Sequence, residues 1–153
     1  MNSLLAQNNH QRALEYISVG LDIDAKNRLL LYSKAVCLGR LKDYSGSIAI
    51  IKELVQAEPK SPNYVASFLE MLLLAGFSKE FRSCFSDHTP VIAQGYGDVL
   101  LVYLNALALY RENNLNAMKD VIVSFLDSCK RGKTKYLPNW NFNEVIGLLW
   151  NDL

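Results

Sequence analysis

A pattern of residues returns after 34 positions and constrains this chain more than any other feature. Asn8-Asn9-His10-Gln11-Arg12-Ala13-Leu14 is answered by Leu41-Lys42-Asp43-Tyr44-Ser45-Gly46-Ser47-Ile48. Each copy reads as a polar turn that opens a helix. The two helices close on nearly matching tails, Gly20-Leu21-Asp22-Ile23-Asp24-Ala25-Lys26-Asn27 and Leu54-Val55-Gln56-Ala57-Glu58-Pro59-Lys60-Ser61. Repeats of this length are helical hairpins. One hairpin cannot bury its own apolar face, so it stacks on its neighbours. Such a chain offers an extended surface for interaction rather than a single catalytic cleft.

Composition agrees with a packed helical chain. Of the 153 residues, 50% are hydrophobic and 20% charged, with only 8 Gly and 4 Pro, which disfavours both disorder and a loop-rich β-protein. That length suits one domain, and a single helical-repeat domain over 1–153 is expected. The formal charge of +1 supplies no field to steer nucleic acid or an anionic membrane toward it. The longest apolar stretch, Val99 to Tyr110, is broken by Asn105 and ended by Arg111-Glu112, so it reads as a buried helix, with no membrane insertion. Met1 to Asn8 carries neither a positive leader nor an apolar run, and a cytoplasmic location is expected. Cys37, Cys84 and Cys129 are odd in number, far apart and flanked by apolar residues, the pattern of buried free thiols in a reducing compartment.

With Pro59 placed just after a second helix, one complete repeat runs from Arg28 to Ser61 and resembles the tetratricopeptide repeat family. The places that this family fills with a small, a large apolar, an aromatic and a small residue hold Ala35, Leu38, Tyr44 and Ser47. The small residues let antiparallel helices approach, and the large ones fill the space between hairpins. Leu54 departs from the pattern, standing where the family usually has alanine. The resemblance is clearest over 8–61. It implies an all-α fold, an α-α superhelix of about four hairpins near 1–24, 28–58, 62–87 and 97–130, the first one incomplete.

Within that frame, Leu4, His10, Ala13 and Ile17 take the equivalent places one period earlier; either the chain is cut from a longer protein or Ser3 to Gln7 serves as a stunted first helix. Pro62 opens the first helix of the third hairpin, where its missing N–H costs nothing. Gly76 then marks the inner turn. The partner helix, Ser78 to Asp87, is expected to end early at Thr89-Pro90. An insertion of about three residues around 88–97 resets the frame for Val99 to Glu112 and Leu115 to Lys130. A basic loop, Lys130 to Lys135, follows and reads as a solvated linker. Asn141 and Glu144 have capping-box spacing, so a capping helix is expected over about 142–151.

No Gly-rich phosphate loop, nucleophile elbow or paired carboxylate in an apolar setting occurs, so the chain reads as a non-enzyme without a cofactor. Gly95-Tyr96-Gly97 is too short for a phosphate loop. Metal ligands need close Cys or His spacing, and only Cys84 and His88 come near it; two ligands make no site. His10 stands where the family usually has tyrosine, a packing place.

The family resemblance implies a concave groove lined by the first helix of each hairpin. Leu29, Tyr32, Ser33, Val36 and Arg40 would line it, followed by Asn63, Ala66, Ser67 and Glu70, then Leu100, Tyr103, Leu107, Tyr110 and Arg111. Such an aromatic, weakly charged lining suits a peptide or amphipathic helix of another protein. Repeats that grip the carboxylate tails of heat-shock chaperones need cationic and amide donors there. Tyr32, Ser33, Val36, Asn63, Ser67 and Glu70 hold the matching places, so that clamp is absent. A second candidate docking surface is the apolar C-terminal stretch with Trp140, Leu149 and Trp150, which either caps the stack or receives a partner. The functional expectation is therefore an adaptor or chaperone-like module. The alternatives are a domain of a larger regulatory protein and a self-associating protein whose open first helix pairs two copies.

Overall fold

Where helices begin and end is decided by a small set of turn residues that recur with the repeat. Asn27, Asp43 and Asn114 each accept a hydrogen bond through the side-chain oxygen from the backbone N–H three residues on, at Leu30 (3.0 Å), Gly46 (3.1 Å) and Ala117 (3.3 Å). Each thereby satisfies a donor that the first helical turn leaves unpaired. Ser61 makes no such bond, and the helix after it starts instead on Pro62.

The structure, a computed structural model, describes residues 3–96 and 98–132. These form α1 (Ser3–Ile23), α2 (Arg28–Arg40), α3 (Tyr44–Ala57), α4 (Pro62–Leu74), α5 (Ser78–Tyr96), α6 (Asp98–Arg111) and α7 (Leu115–Lys130). The fold is all-α, and no strand occurs among the described residues. Two compact units divide between Ala75 and Gly76, at the turn inside the expected third hairpin.

In the first unit α2 packs against α1 and α3, and α4 lies on α3 with a lighter contact to α2. The period of 34 is written into the backbone. Asp24 N–H donates to the Gly20 carbonyl and Asn27 N–H to that of Asp24; one period later Glu58 N–H donates to the Leu54 carbonyl and Ser61 N–H to that of Glu58. Thus α1 corresponds to α3, and α2 to α4. Small residues set the spacing between helices. Buried Ser47 on α3 donates its hydroxyl to the Ala35 carbonyl of α2 at 2.8 Å. A side chain at Gly39 would begin 2.8 Å from the Met71 thioether of α4, and one at Gly20 would begin 2.7 Å from Leu30 of α2. Ile51, Leu54, Val65, Leu69 and Leu73 form the core around these contacts.

In the second unit α6 packs against both α5 and α7. Phe81 and Phe85 of α5 stack with centroids 4.8 Å apart, and Phe81, Ile92, Leu104, Met118 and Ile122 are fully buried. Arg82 of α5 gives both carboxylate oxygens of Glu112, the residue after α6, a donor at 3.1 and 3.3 Å, and the Asn105 side-chain oxygen of α6 one at 3.3 Å. The asparagine that interrupts the apolar run of α6 is therefore a docking point for a neighbouring helix.

Two expectations are corrected. The stretch 1–24 is not a hairpin: α1 runs unbroken through Asn8-Asn9-His10, so the expected turn there is helix. Leu, Ala, Gln and Arg around those residues are strong helix formers and carry the helix through the two asparagines. Nor does the helix from Ser78 end at Asp87; α5 continues through Thr89-Pro90 to Tyr96. Thr89 donates its hydroxyl to the Phe85 carbonyl at 2.9 Å, and the burial of Ile92 beyond the proline rewards continuation. The inserted residues lengthen a helix rather than a loop. The expected cap, 142–151, lies outside the described residues.

Candidate functional site

The residues expected to line a groove fall in both units, and their burial separates them. On α2, Tyr32, Ser33 and Val36 are half-buried while Leu29 and Arg40 are exposed; on α4, Ala66, Ser67 and Glu70 are half-buried and Asn63 is exposed. The structure joins two of them directly. The Tyr32 hydroxyl lies 2.8 Å from the Ser67 hydroxyl, a bridge between α2 and α4. Beside it the rings of Tyr32 and Tyr64 meet at 5.3 Å with planes tilted by 50°. An aromatic pair held this way is rigid, apolar over its faces and polar at its rim, the character of a protein-binding hot spot. Tyr64 was not among the expected residues. Its signal was present, since it lies three residues before Ser67 and so shares a helical face with it.

On α6, Leu100, Tyr103 and Leu107 are only 6, 5 and 5% exposed, and they are corrected from groove lining to core. Apolar residues surround α6 on every side, the pattern of a helix enclosed by neighbours rather than one with an open stripe. Tyr110 and Arg111 remain accessible. With Gly76, Ser78, Asn113 and Leu115 they line a polar cleft of about 540 Å³ in the second unit. A further, more apolar groove of about 590 Å³ runs between α6 and α7, lined by Leu101, Val102, Val121 and Phe125. Sequence reasoning missed it, because helical spacing alone cannot tell which gap between two packed helices stays open. Trp140, Leu149 and Trp150 lie outside the described residues.

Chemistry of other kinds finds little footing. Among the described residues no group of three or more His, Cys, Asp or Glu side chains is placed to hold a metal ion. Cys84 donates its thiol to the Glu80 carbonyl of its own helix at 3.0 Å. Burial pushes the Cys37 thiol up from its usual range. Cys84 is raised as well, chiefly by burial and further by the Asp87 charge, although a backbone hydrogen bond partly opposes this. Both are the reverse of an activated nucleophile. No described helix is long and apolar enough to cross a membrane.

Over 54 residues the chain is 37% identical to tetratricopeptide repeat protein 34 of Xenopus laevis. That stretch is 35% of this chain and about a tenth of the frog protein's length. The relationship is tetratricopeptide-like. No family model matches the chain, and no solved structure matches it. Together with the 34-residue period in the backbone bonds, the likeness points to a protein-interaction module in the general sense.

Proposed function

We propose that this chain is a non-catalytic adaptor that holds an extended or helical segment of another protein against the faces of α2 and α4. Tyr32, hydrogen-bonded to Ser67 and in ring contact with Tyr64, carries the reading: the two rings offer ordered aromatic surface at little entropic cost, with Ser33, Val36, Asn63 and Glu70 on the same two helices. An apolar anchor of the partner would rest on the rings, and its backbone would find donors and acceptors at the rim. The polar cleft at Tyr110 and Arg111 is a separate surface of the second unit. Free Cys37, Cys84 and Cys129 suit a cytoplasmic, reducing setting.

Selection of binding peptides from a displayed library, followed by titration against variants, tests this. Tyr32→Ala and Val36→Glu should each weaken the selected peptides by tenfold or more, while Tyr32→Phe, which keeps the ring, should cost only a few-fold. Peptides that bind all three variants like the wild type would refute the α2–α4 site. Loss of binding confined to Trp140→Ala or Trp150→Ala would move the site to the C-terminal stretch.

A further inference from the structure

The outer face of α1 carries large apolar residues that no other described helix covers. Tyr16, Val19 and Ile23 are 74, 60 and 85% exposed. Their spacing places them on one stripe of the helix, and exposed Arg12 extends it by one turn. The half-buried side of α1 is a different one, formed by Ala13, Leu14, Ile17, Gly20 and Leu21. Among the described helices α1 touches α2 alone.

The repeat supplies an internal reference for this stripe. One period later, the places of Val19 and Ile23 hold Glu53 and Ala57 of α3, both exposed. The corresponding residues of α7 are Ser124 and Ser128. At these two places α3 and α7 carry small or polar residues, as a solvent-facing surface requires, and α5 carries Asp87 and a half-buried Val91; α1 carries two exposed aliphatic side chains.

We propose that this stripe seats a second copy of the chain, with the two α1 helices packed antiparallel about a twofold axis. Positions 12, 16, 19 and 23 alternate in steps of four and three, the seam spacing of a two-stranded coiled coil. Charge selects the direction. A parallel pair would set Arg12 against Arg12, whereas an antiparallel pair sets Arg12 of each copy beside Asp22 of the other. A helix of 21 residues gives a seam only about 32 Å long. Such a contact is below the size of obligate dimers, so association is reversible, with a Kd on the order of micromolar. This surface adds self-association to the interaction role proposed above and does not depend on the α2–α4 site.

Equilibrium sedimentation of the full chain from roughly 1 to 300 µM tests the assignment. The wild-type mass should climb from 17.3 kDa toward twice that value. Val19→Glu/Ile23→Ala, which gives α1 the residues that α3 carries, should hold at 17.3 kDa with an unchanged helical circular dichroism spectrum. Arg12→Glu should weaken association about tenfold, and adding Asp22→Arg to the same chain should restore it. A wild type that stays monomeric throughout, or a Val19→Glu/Ile23→Ala variant that dimerises equally well, would overturn the proposal. Failure of Asp22→Arg to restore association would overturn the antiparallel arrangement. Peptide binding at Tyr32 is read separately on the monomeric variant, so failure of either reading leaves the other standing.

Discussion

Ser47 shows how one small polar residue fixes the distance between two helices. It is wholly buried, and its hydroxyl is satisfied by the Ala35 carbonyl at 2.8 Å, so the position is both tight and paired. Ser47→Ala keeps the size and removes one hydrogen bond, with an expected loss of about 1 kcal/mol. Ser47→Val adds bulk where Gly39 and Met71 already crowd, with an expected loss of about 2 kcal/mol; urea unfolding of both variants reads the difference. The small-residue place was legible because the repeat frame assigns it, but the tyrosine pair was only half legible. Tyr32 fell in the frame and Tyr64 did not, since their meeting depends on the crossing of α2 and α4 rather than on either helix alone. Cys37 and Cys84 add a chemical test. Their thiols are raised by burial, so at pH 8 less thiolate is present than at an ordinary cysteine. Alkylation of both by iodoacetamide should be slower than that of a model thiol peptide, by mass spectrometry. The sign for stability follows: the neutral thiol is favoured in the fold, so its contribution is full below the usual thiol value of 9.0 and is lost as pH rises past it.

At the scale of elements, the repeat is enforced as much by how helices stop as by what they bury. Lys42, Gly76 and Asn113 all adopt the left-handed backbone, with φ of 66, 89 and 59°, and stand 34 and 37 residues apart. After α2, Lys42 N–H donates to the Gly39 carbonyl and Asp43 N–H to that of Leu38; after α6, Asn113 and Asn114 repeat this with Tyr110 and Leu109. Both are Schellman closures, and in each the last residue also caps the following helix. Glycine adopts this conformation without the steric cost that a lysine side chain meets. Lys42→Gly should therefore stabilise the chain by about 1 kcal/mol and Gly76→Ala should destabilise it by a similar amount, measured as shifts in urea midpoint at constant slope. These turns were legible as polar breaks but not as left-handed caps, because at Lys42 the residue type gives no sign. α1 and α5 were misjudged for a related reason. Asn8-Asn9 looks like a turn only by analogy with Lys42-Asp43, and Pro90 looks like a stop only until the burial of Ile92 is counted.

For the molecule as a whole, the balance of forces is apolar, and the charges are peripheral. The ion pairs Arg28 with Glu58, Arg82 with Glu112 and Arg131 with Asp127 have side chains from 34 to 64% exposed, where screening and side-chain entropy leave little net gain. The formal charge of +1 gives no large field either. All-α architecture was legible at this scale, because the period and the apolar spacing agree on it; the division between Ala75 and Gly76 was not, because the turn there uses the same signals as the turns within a unit. The same charge balance decides between two kinds of partner. A protein neutralising six to ten phosphates loses roughly a thousandfold or more in affinity between 50 and 200 mM salt. A partner seated on Tyr32, Tyr64 and Val36 releases few counterions, so its affinity should change by no more than about threefold across that range. Titrating a selected peptide and a single-stranded oligonucleotide side by side, at both salt concentrations, makes the comparison. A flat peptide response with no oligonucleotide binding at the higher salt is the expected result. A steep loss shared by both ligands would instead place the contact on the basic residues Lys130 to Lys135, and the aromatic pair would no longer account for binding.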